Sequence, residues 1–327
     1  MSSYNDVKVL VTGATGFLGS HAVGALLGRG AVVHAMVRPH ASLDRIAPFR
    51  SRIEVHHGDL RDYALLVECI ERSQPDIILH LAGDVSARRS MGGWENVRQS
   101  IEVNLIGTMS LIQAAIESGR NLRSLVRVGG LEEYGRARIP FVETMREEPI
   151  SAYSAAQVAA THFSQALQPA IPFRLVTVRP ALLFGPAQSR AFFIPQVIEA
   201  CLAGTDFEMT SGTQSRDLLY VDDAVEGILA AAINEDLRGT VINLATGTEH
   251  SIAEVADLIV QLTGAKIQLR RGAQQSGAAD LQHLVGSADL AQKLLGWRAR
   301  TSLEEGLKRT ISYYAASMSS RIPGKTH

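Results

Sequence analysis

The stretch that most constrains this chain is Val9-Leu10-Val11-Thr12-Gly13-Ala14-Thr15-Gly16-Phe17-Leu18-Gly19. An aliphatic run ends at three glycines spaced three apart, and a helical pattern follows through His21, Ala22, Ala25 and Leu26. Glycine admits positive φ and lets the backbone approach a ligand with no Cβ between. A helix that starts there presents free N–H groups and a positive dipole end, which suit a pyrophosphate. The spacing is G-x-x-G-x-x-G rather than G-x-G-x-x-G, and no Lys-Ser/Thr pair follows as in a P-loop.

Strand and helix signals alternate through the first two-thirds of the chain, which predicts a parallel sheet covered by helices on both faces. Strands are expected at Val7–Val11, Val32–Val37, Ile53–His56, Ile77–Leu81, Leu125–Val128 and Phe173–Arg179. Helices are expected at Phe17–Arg29, Asp62–Arg72, Trp94–Ser118 and Ser151–Gln168. Beyond residue 180 the order loosens, with helices at Phe193–Ala203, Val221–Asn234, Ile252–Thr263, Ser287–Leu295 and Leu303–Tyr314. This divides the chain into a dinucleotide-binding part, 1–180, to which some later segments return, and a mainly substrate-binding lobe, 181–327. Gly272–Ala279 reads as a loop and Ser320–His327 as a frayed tail.

Composition narrows the function classes. With 327 residues, 46% of them hydrophobic, the chain can bury a large core. A formal net charge of −1 advertises no basic surface, so neither nucleic acid nor a membrane is expected as a partner. Cys69 and Cys201, the two cysteines, are expected as small apolar fillers on helices. No apolar run is long enough to span a bilayer and the N-terminus carries no secretion-type segment, which points to the cytoplasm. Trp94 and Trp297 read as packing residues. His21, His56, His57, His80 and His162 share no metal-ligand spacing, so no metal is expected.

Further motifs stand in order along the chain: Gly58-Asp59-Leu60, Leu81-Ala82-Gly83, Asn104-x-x-Gly107-Thr108, Glu133-Tyr134-Gly135 and Tyr153-Ser154-Ala155. Arg179-Pro180, Gly185-Pro186, Arg216 to Asp223 and Leu295-Gly296-Trp297 follow. With the glycine turn, they resemble nearly end to end the extended short-chain dehydrogenase/reductases. The narrower resemblance is to the NAD(P)-dependent nucleotide-sugar epimerases, dehydratases and 4-ketohexose reductases. It implies a Rossmann-like doubly wound α/β sheet with a smaller C-terminal α/β substrate lobe, and a homodimer built through a four-helix contact.

The resemblance assigns Gly13, Gly16, Phe17, Leu18 and Gly19 to the cofactor pyrophosphate, and Asp59 and Leu60 to the adenine side. Leu81, Ala82, Gly83, Asn104, Tyr153, Gln157 and Pro180 complete the cofactor set. The residue ending the second strand selects the cofactor, and here it is Arg38, with His40 and Ser42 close behind. A guanidinium suits the extra phosphate of NADP, leaving NAD as the alternative.

The resemblance breaks at the catalytic positions. Tyr153 fills the family tyrosine, but Gln157 stands for the lysine and Gly130 for the Ser/Thr. The lysine's task is to depress the tyrosine pKa. Without a cation nearby, a tyrosine near ~10 is about one part in a thousand phenolate at pH 7. Glu132 matches the dehydratase glutamate that helps remove the C5 proton, while Leu131 replaces its usual polar partner. Arg216 matches the arginine that contacts the nucleotide diphosphate. Leu182 replaces the Asn of Arg-x-x-Asn and alters the sugar pocket, and Arg270-Arg271 offers a second phosphate contact through Arg271. Three readings stay open. One is NADP-dependent epimerase or dehydratase chemistry on a nucleotide-diphosphate sugar, in deoxysugar formation. The others are NADPH-dependent 4-ketohexose reduction and a catalytically silent binding relative.

Overall fold

The structure, a computed structural model, describes residues 4–85, 93–274 and 281–319. Strands β1 (Lys8–Thr12), β2 (Val32–Val37), β3 (Ile53–His57), β4 (Ile77–His80), β5 (Ser124–Val128) and β6 (Arg174–Pro180) alternate with helices. These are α1 (Phe17–Leu27), α2 (Tyr63–Ser73), α3 (Trp94–Ser100), α4 (Gly107–Ser118) and α5 (Ala152–Leu167). Then come β7 (Leu182–Phe184), α6 (Phe193–Ala203), β8 (Phe207–Met209), β9 (Ser215–Arg216), β10 (Leu218–Tyr220) and α7 (Val221–Ile233). The chain continues through β11 (Val241–Leu244), β12 (His250–Ser251), α8 (Ile252–Thr263), β13 (Leu269–Arg271), β14 (His283–Leu284), α9 (Asp289–Leu295) and α10 (Leu303–Ser319).

Seven parallel strands form the main sheet in the order β11-β6-β5-β4-β1-β2-β3. Aliphatic residues such as Val9, Leu10, Val11, Ile77, Ile78 and Leu79 are buried on both faces, which explains why these strands read as unbroken apolar runs. The order reverses between β1 and β4, whose register pairs Val9 with Ile77 and Thr12 with His80. A crevice at the carboxyl ends of strands forms at such a reversal. The late strand β11 returns to the sheet, pairing Val241 with Thr177 and Leu244 with Pro180. The remaining short strands and α6, α8 and α10 enclose a separate core around Phe184, Ile198, Val255, Ile259, Leu307 and Tyr314.

Several expectations are corrected. The helix expected over Trp94–Ser118 is broken by a turn of wider, π-type winding at Ile101–Ile106, a local form common beside functional sites. Trp94 is not a packing residue: it is 84% exposed. Trp297 is buried and its indole N–H donates to the Asp223 carbonyl at 3.0 Å. Both cysteines are buried on helices, and burial pushes the Cys69 thiol up to about 12. Most of Gly272–Ala279 and the Ser320–His327 tail lie outside the described residues. Among those described, no helix is long and apolar enough to cross a membrane.

Candidate active site

The glycine turn closes β1 as the sequence predicts. Gly13 has φ +68°, and a Cβ on it would stand 2.7 Å from the Ala82 nitrogen and 2.8 Å from the Leu81 carbonyl carbon. A Cβ on Gly16 would lie 3.0 Å from the Gly13 oxygen, and one on Gly19 would overlap that same oxygen. The three glycines therefore let β1, α1 and the end of β4 close on each other. No side chain caps α1, so the first-turn N–H groups of Phe17 and Leu18 are left to other acceptors. This is a cradle that fits a pyrophosphate.

Around it, Arg38 lines a second, smaller cavity with Pro39, His40, Ala41, Asp59 and Arg61. Arg61 grips Asp59 with two N–H···O bonds of 3.0 and 2.8 Å. That hydrogen bonding, aided by Arg38, holds the Asp59 carboxyl down at about 2. Leu60 is buried, and its Cβ packs where Gly107 carries none. Asn104 accepts from the Asp84 N–H at 2.8 Å and donates to the Asp84 carbonyl at 2.9 Å. It fixes the strand end that carries Leu81, Ala82 and Gly83. Pro180 ends β6, buried beside β11.

The turn after β5 is built differently. Glu133, in the Glu132-Glu133 pair, is 1% exposed and acts as a hub. Its carboxylate accepts from the Gly130 N–H at 3.2 Å, the Thr161 hydroxyl at 2.6 Å and the Arg179 guanidinium at 2.7 Å. The Gly130 N–H is thereby committed to Glu133. Arg179 also bridges to Glu147 at 2.7 Å and lies 4.6 Å from the centre of the Tyr134 ring. On α5, a reciprocal Ser151–Ser154 cap starts the helix and places Tyr153 in its first turn, buried. Gln157 and Thr161 follow at four-residue intervals on the same face.

A cavity of 210 Å³ opens between this region and the second lobe. Glu132, Ser151, Ser154, Leu182 and Arg216 line it with the apolar Phe193, Phe207 and Leu218. The structure thus brings Glu132, Leu182 and Arg216 to one space. Asp217 accepts from Thr246 and Gly247, and Asp222 pairs with His21 at 2.7 Å. Arg271 is a correction: it is exposed on β13, pairs with Asp257, and is not among the described residues that line the cavity. Arg270 is likewise paired, with Asp206.

Sequence spacing missed two features. Strand pairing brings His34, Glu54 and His56 together, with donor atoms within 4.8 Å, although no spacing motif joins them. The two imidazoles hydrogen-bond at 3.0 Å, and burial lowers the pKa of both. The second is Arg127, fully buried on β5 and pointing at α5. Its only sequence signal is a charge inside an aliphatic strand.

The architecture and the paired turns are those of the extended short-chain dehydrogenase/reductases that epimerise or dehydrate nucleotide sugars. Residues 10–310 match the profile of the GDP-mannose 4,6 dehydratase family, and the chain belongs to that family. It is 27% identical to a UDP-glucose 4-epimerase of Pisum sativum, covering 91% of this chain and 93% of that one. It is 26% identical to the dTDP-glucose 4,6-dehydratase of Salmonella typhimurium, covering 95% and 93%. Among solved structures, an epimerase from Methanothermobacter thermautotrophicus superposes with a TM-score of 0.88 at 26% identity, covering 97% and 94%. MoeE5, solved with UDP-glucuronic acid and NAD, does so at 0.82 and 28%, covering 95% and 99%.

Proposed function

We propose that this enzyme converts a nucleotide-diphosphate sugar by redox-neutral chemistry of the epimerase or dehydratase type, with NADP as its cofactor. The observation that carries the reading is the position of Glu132. Its Oε2 stands 2.5 Å from where a Cβ on Gly130 would be. A carboxylate therefore occupies the space of the family's Ser/Thr side chain, on the wall of the cavity that also holds Arg216. When bound, the dinucleotide supplies the hydride acceptor and donor. Tyr153 moves the proton at the sugar hydroxyl, and Glu132 takes the proton from the neighbouring carbon. Arg216 holds the diphosphate by charge-assisted hydrogen bonds. Leu182 and Leu218 exclude water from one side of the sugar.

Cofactor preference rests on Arg38. Beside it stand Arg61 and His40, and among the described residues lining that cavity Asp59 is the one carboxylate that balances them. This favours the phosphorylated ribose of NADP over the bare diol of NAD. Affinity for NADP is expected to exceed that for NAD, with Arg38→Asp reversing the order; an NAD preference that Arg38→Asp leaves unmoved overturns the assignment. A homodimer fits the exposed Trp94, Ile101, Ile106 and Phe163 on α3, the π-type turn and α5. A monomer mass by light scattering rules it out.

The deciding experiment incubates the protein and catalytic NADP with GDP-, CDP-, UDP- and dTDP-hexoses, followed by mass spectrometry and absorbance at 340 nm. Conversion without net NADPH change is expected, lost in Tyr153→Phe. Stoichiometric NADPH consumption would instead favour the 4-ketohexose reductase reading. Binding without conversion of any hexose would sink the catalytic reading.

A further inference from the structure

A buried cation stands behind the position where the family lysine is missing. Arg127 lies on β5, pairs in register with His80 of β4 and is 1% exposed. Its Nη1 donates to the Thr161 hydroxyl at 2.6 Å and to the Thr177 hydroxyl at 3.3 Å, and its Nη2 donates to the side-chain oxygen of Gln157. A guanidinium has donors only, so the amide oxygen of Gln157 must face it. The amide nitrogen then faces away, and a Cβ on Gly83 would stand 4.0 Å from that Nε2 and 3.2 Å from the Asn104 Oδ1. The donor end of Gln157 is thus aimed at the strand end beside the glycine turn, in reach of what that crevice holds.

We infer that Arg127 replaces the family lysine as the cation of the catalytic centre, acting on Tyr153 through Gln157, one turn further along α5. It is a positioning and charge-supplying residue, and this role rests on the reading of Tyr153 as the proton-moving group. The arrangement transfers the positive charge from α5 to β5 and leaves an uncharged donor where the lysine's ammonium would be. The two solutions exclude each other, because a lysine at 157 would press an ammonium against the buried guanidinium.

The charged surroundings agree. Among the described residues, the ionisable groups that bear on Arg127 are Glu133 from the turn after β5, Tyr153 from α5 and Arg179 from β6, with His80 of β4 beside it in register. Burial pushes the Arg127 pKa down, Glu133 and Tyr153 support its charge, and Arg179 opposes it. Coupling is reciprocal, so a Tyr153 anion that favours the guanidinium is itself favoured by it. Thr161 stands between Arg127 and Glu133, accepting from one and donating to the other. Arg179 already binds Glu133 and Glu147 directly, which leaves the Arg127 charge available to the catalytic face. His80 is held neutral, its pKa lowered to about 3 by burial and then by Arg127.

The test follows the ionisation of Tyr153 without substrate, as the ultraviolet difference between the full-length protein and its Tyr153→Phe variant across pH. Arg127→Met is expected to raise the Tyr153 titration midpoint by about one unit or more, and to move the alkaline-favoured limb of the kcat profile equally. Gln157→Lys added to Arg127→Met should restore the midpoint, whereas Gln157→Lys alone should lower activity at least tenfold. Arg127→Lys, which keeps a buried cation, serves if Arg127→Met does not fold; it should leave the midpoint within half a unit, and Gln157→Met should raise it. An unmoved midpoint in folded Arg127→Met, or in Gln157→Met if that protein does not fold, overturns the inference, as does a double variant that fails to recover. Failure of the wild type to convert any sugar nucleotide would count against the proposed reaction alone, because the tyrosine titration needs no substrate.

Discussion

Two glycine turns end two parallel strands of the same sheet, and they make room for different things. After β1, a Cβ on Gly13 or Gly19 would be driven into backbone and one on Gly16 would press on it, so their absence of side chains lets three elements meet and leaves the α1 N-terminus open. After β5, a Cβ on Gly129 would overlap the Glu133 carboxylate, and one on Gly130 would reach Glu132. The first turn is closed against its own backbone and leaves a helix N-terminus uncapped. The second is shaped around the protein's own carboxylates. A glycine in such a turn therefore does not by itself mark a binding site; what a Cβ would strike tells the two apart.

The comparison can be broken most sharply at Gly19. Gly19→Ala places a methyl on the Gly13 carbonyl, and neither group is a flexible side chain. We expect loss of dinucleotide binding by a factor of at least a hundred and a large loss of stability, read by calorimetry and thermal unfolding. Retained affinity would show that the turn is not the cradle.

At the second turn, Glu133→Gln removes the charge on which Arg179, Thr161 and Gly130 converge. Breaking a buried pair from one side typically costs about 3–5 kcal/mol, which urea unfolding would measure. A loss under ~1 kcal/mol would mean that the network tolerates a neutral hub.

His80 stands on β4 between the two strands that carry these turns, bonding to Thr12 of β1 at 2.8 Å and to Thr108 of α4 at 3.0 Å while lying beside Arg127 of β5. Its pKa falls from 6.5 to about 3 on folding. Between those values the unfolded chain binds the extra proton, so this contribution is complete above pH 6.5 and is lost as pH falls toward 3. It amounts to about 5 kcal/mol at most, with His34 and His56 shifted in the same direction. Unfolding midpoints measured from pH 7 down to pH 4 should fall steeply, and less so in His80→Leu. Equal slopes would assign the acid lability elsewhere.

The smallest effect is expected at Gly130. Its would-be Cβ meets only the far end of the Glu132 side chain, so Gly130→Ser should cost under ~1 kcal/mol. Turnover should nevertheless drop about tenfold, because the hydroxymethyl displaces Glu132 from the place proposed for its proton transfer. Unchanged kcat would remove Glu132 from the mechanism.

Much of this was legible along the chain. The alternation of aliphatic runs with helical periods is local, and the strands and helices fall close to where the periods put them. The break at Ile101–Ile106 was not legible, because the apolar residues keep a helical period through the wider turn. Arg271 misled for a related reason: two adjacent arginines suggest phosphate, but the side-chain partners Asp206 and Asp257 lie far away in sequence or on another element. Glu132 and Glu133 are neighbours of the same type, yet one lines the cavity and the other is sealed beneath it.

What the sequence determined by itself is the glycine turn after β1, because steric freedom in φ and the absence of a Cβ are properties of the residue. It also determined that the expected lysine is absent. Only the tertiary structure decided what stands in its place. Arg127 and Gln157 are separated by 30 positions and meet only because α5 turns its Gln157 and Thr161 toward β5. A buried charge takes its meaning from the groups that desolvate and neutralise it, and those are assembled by packing.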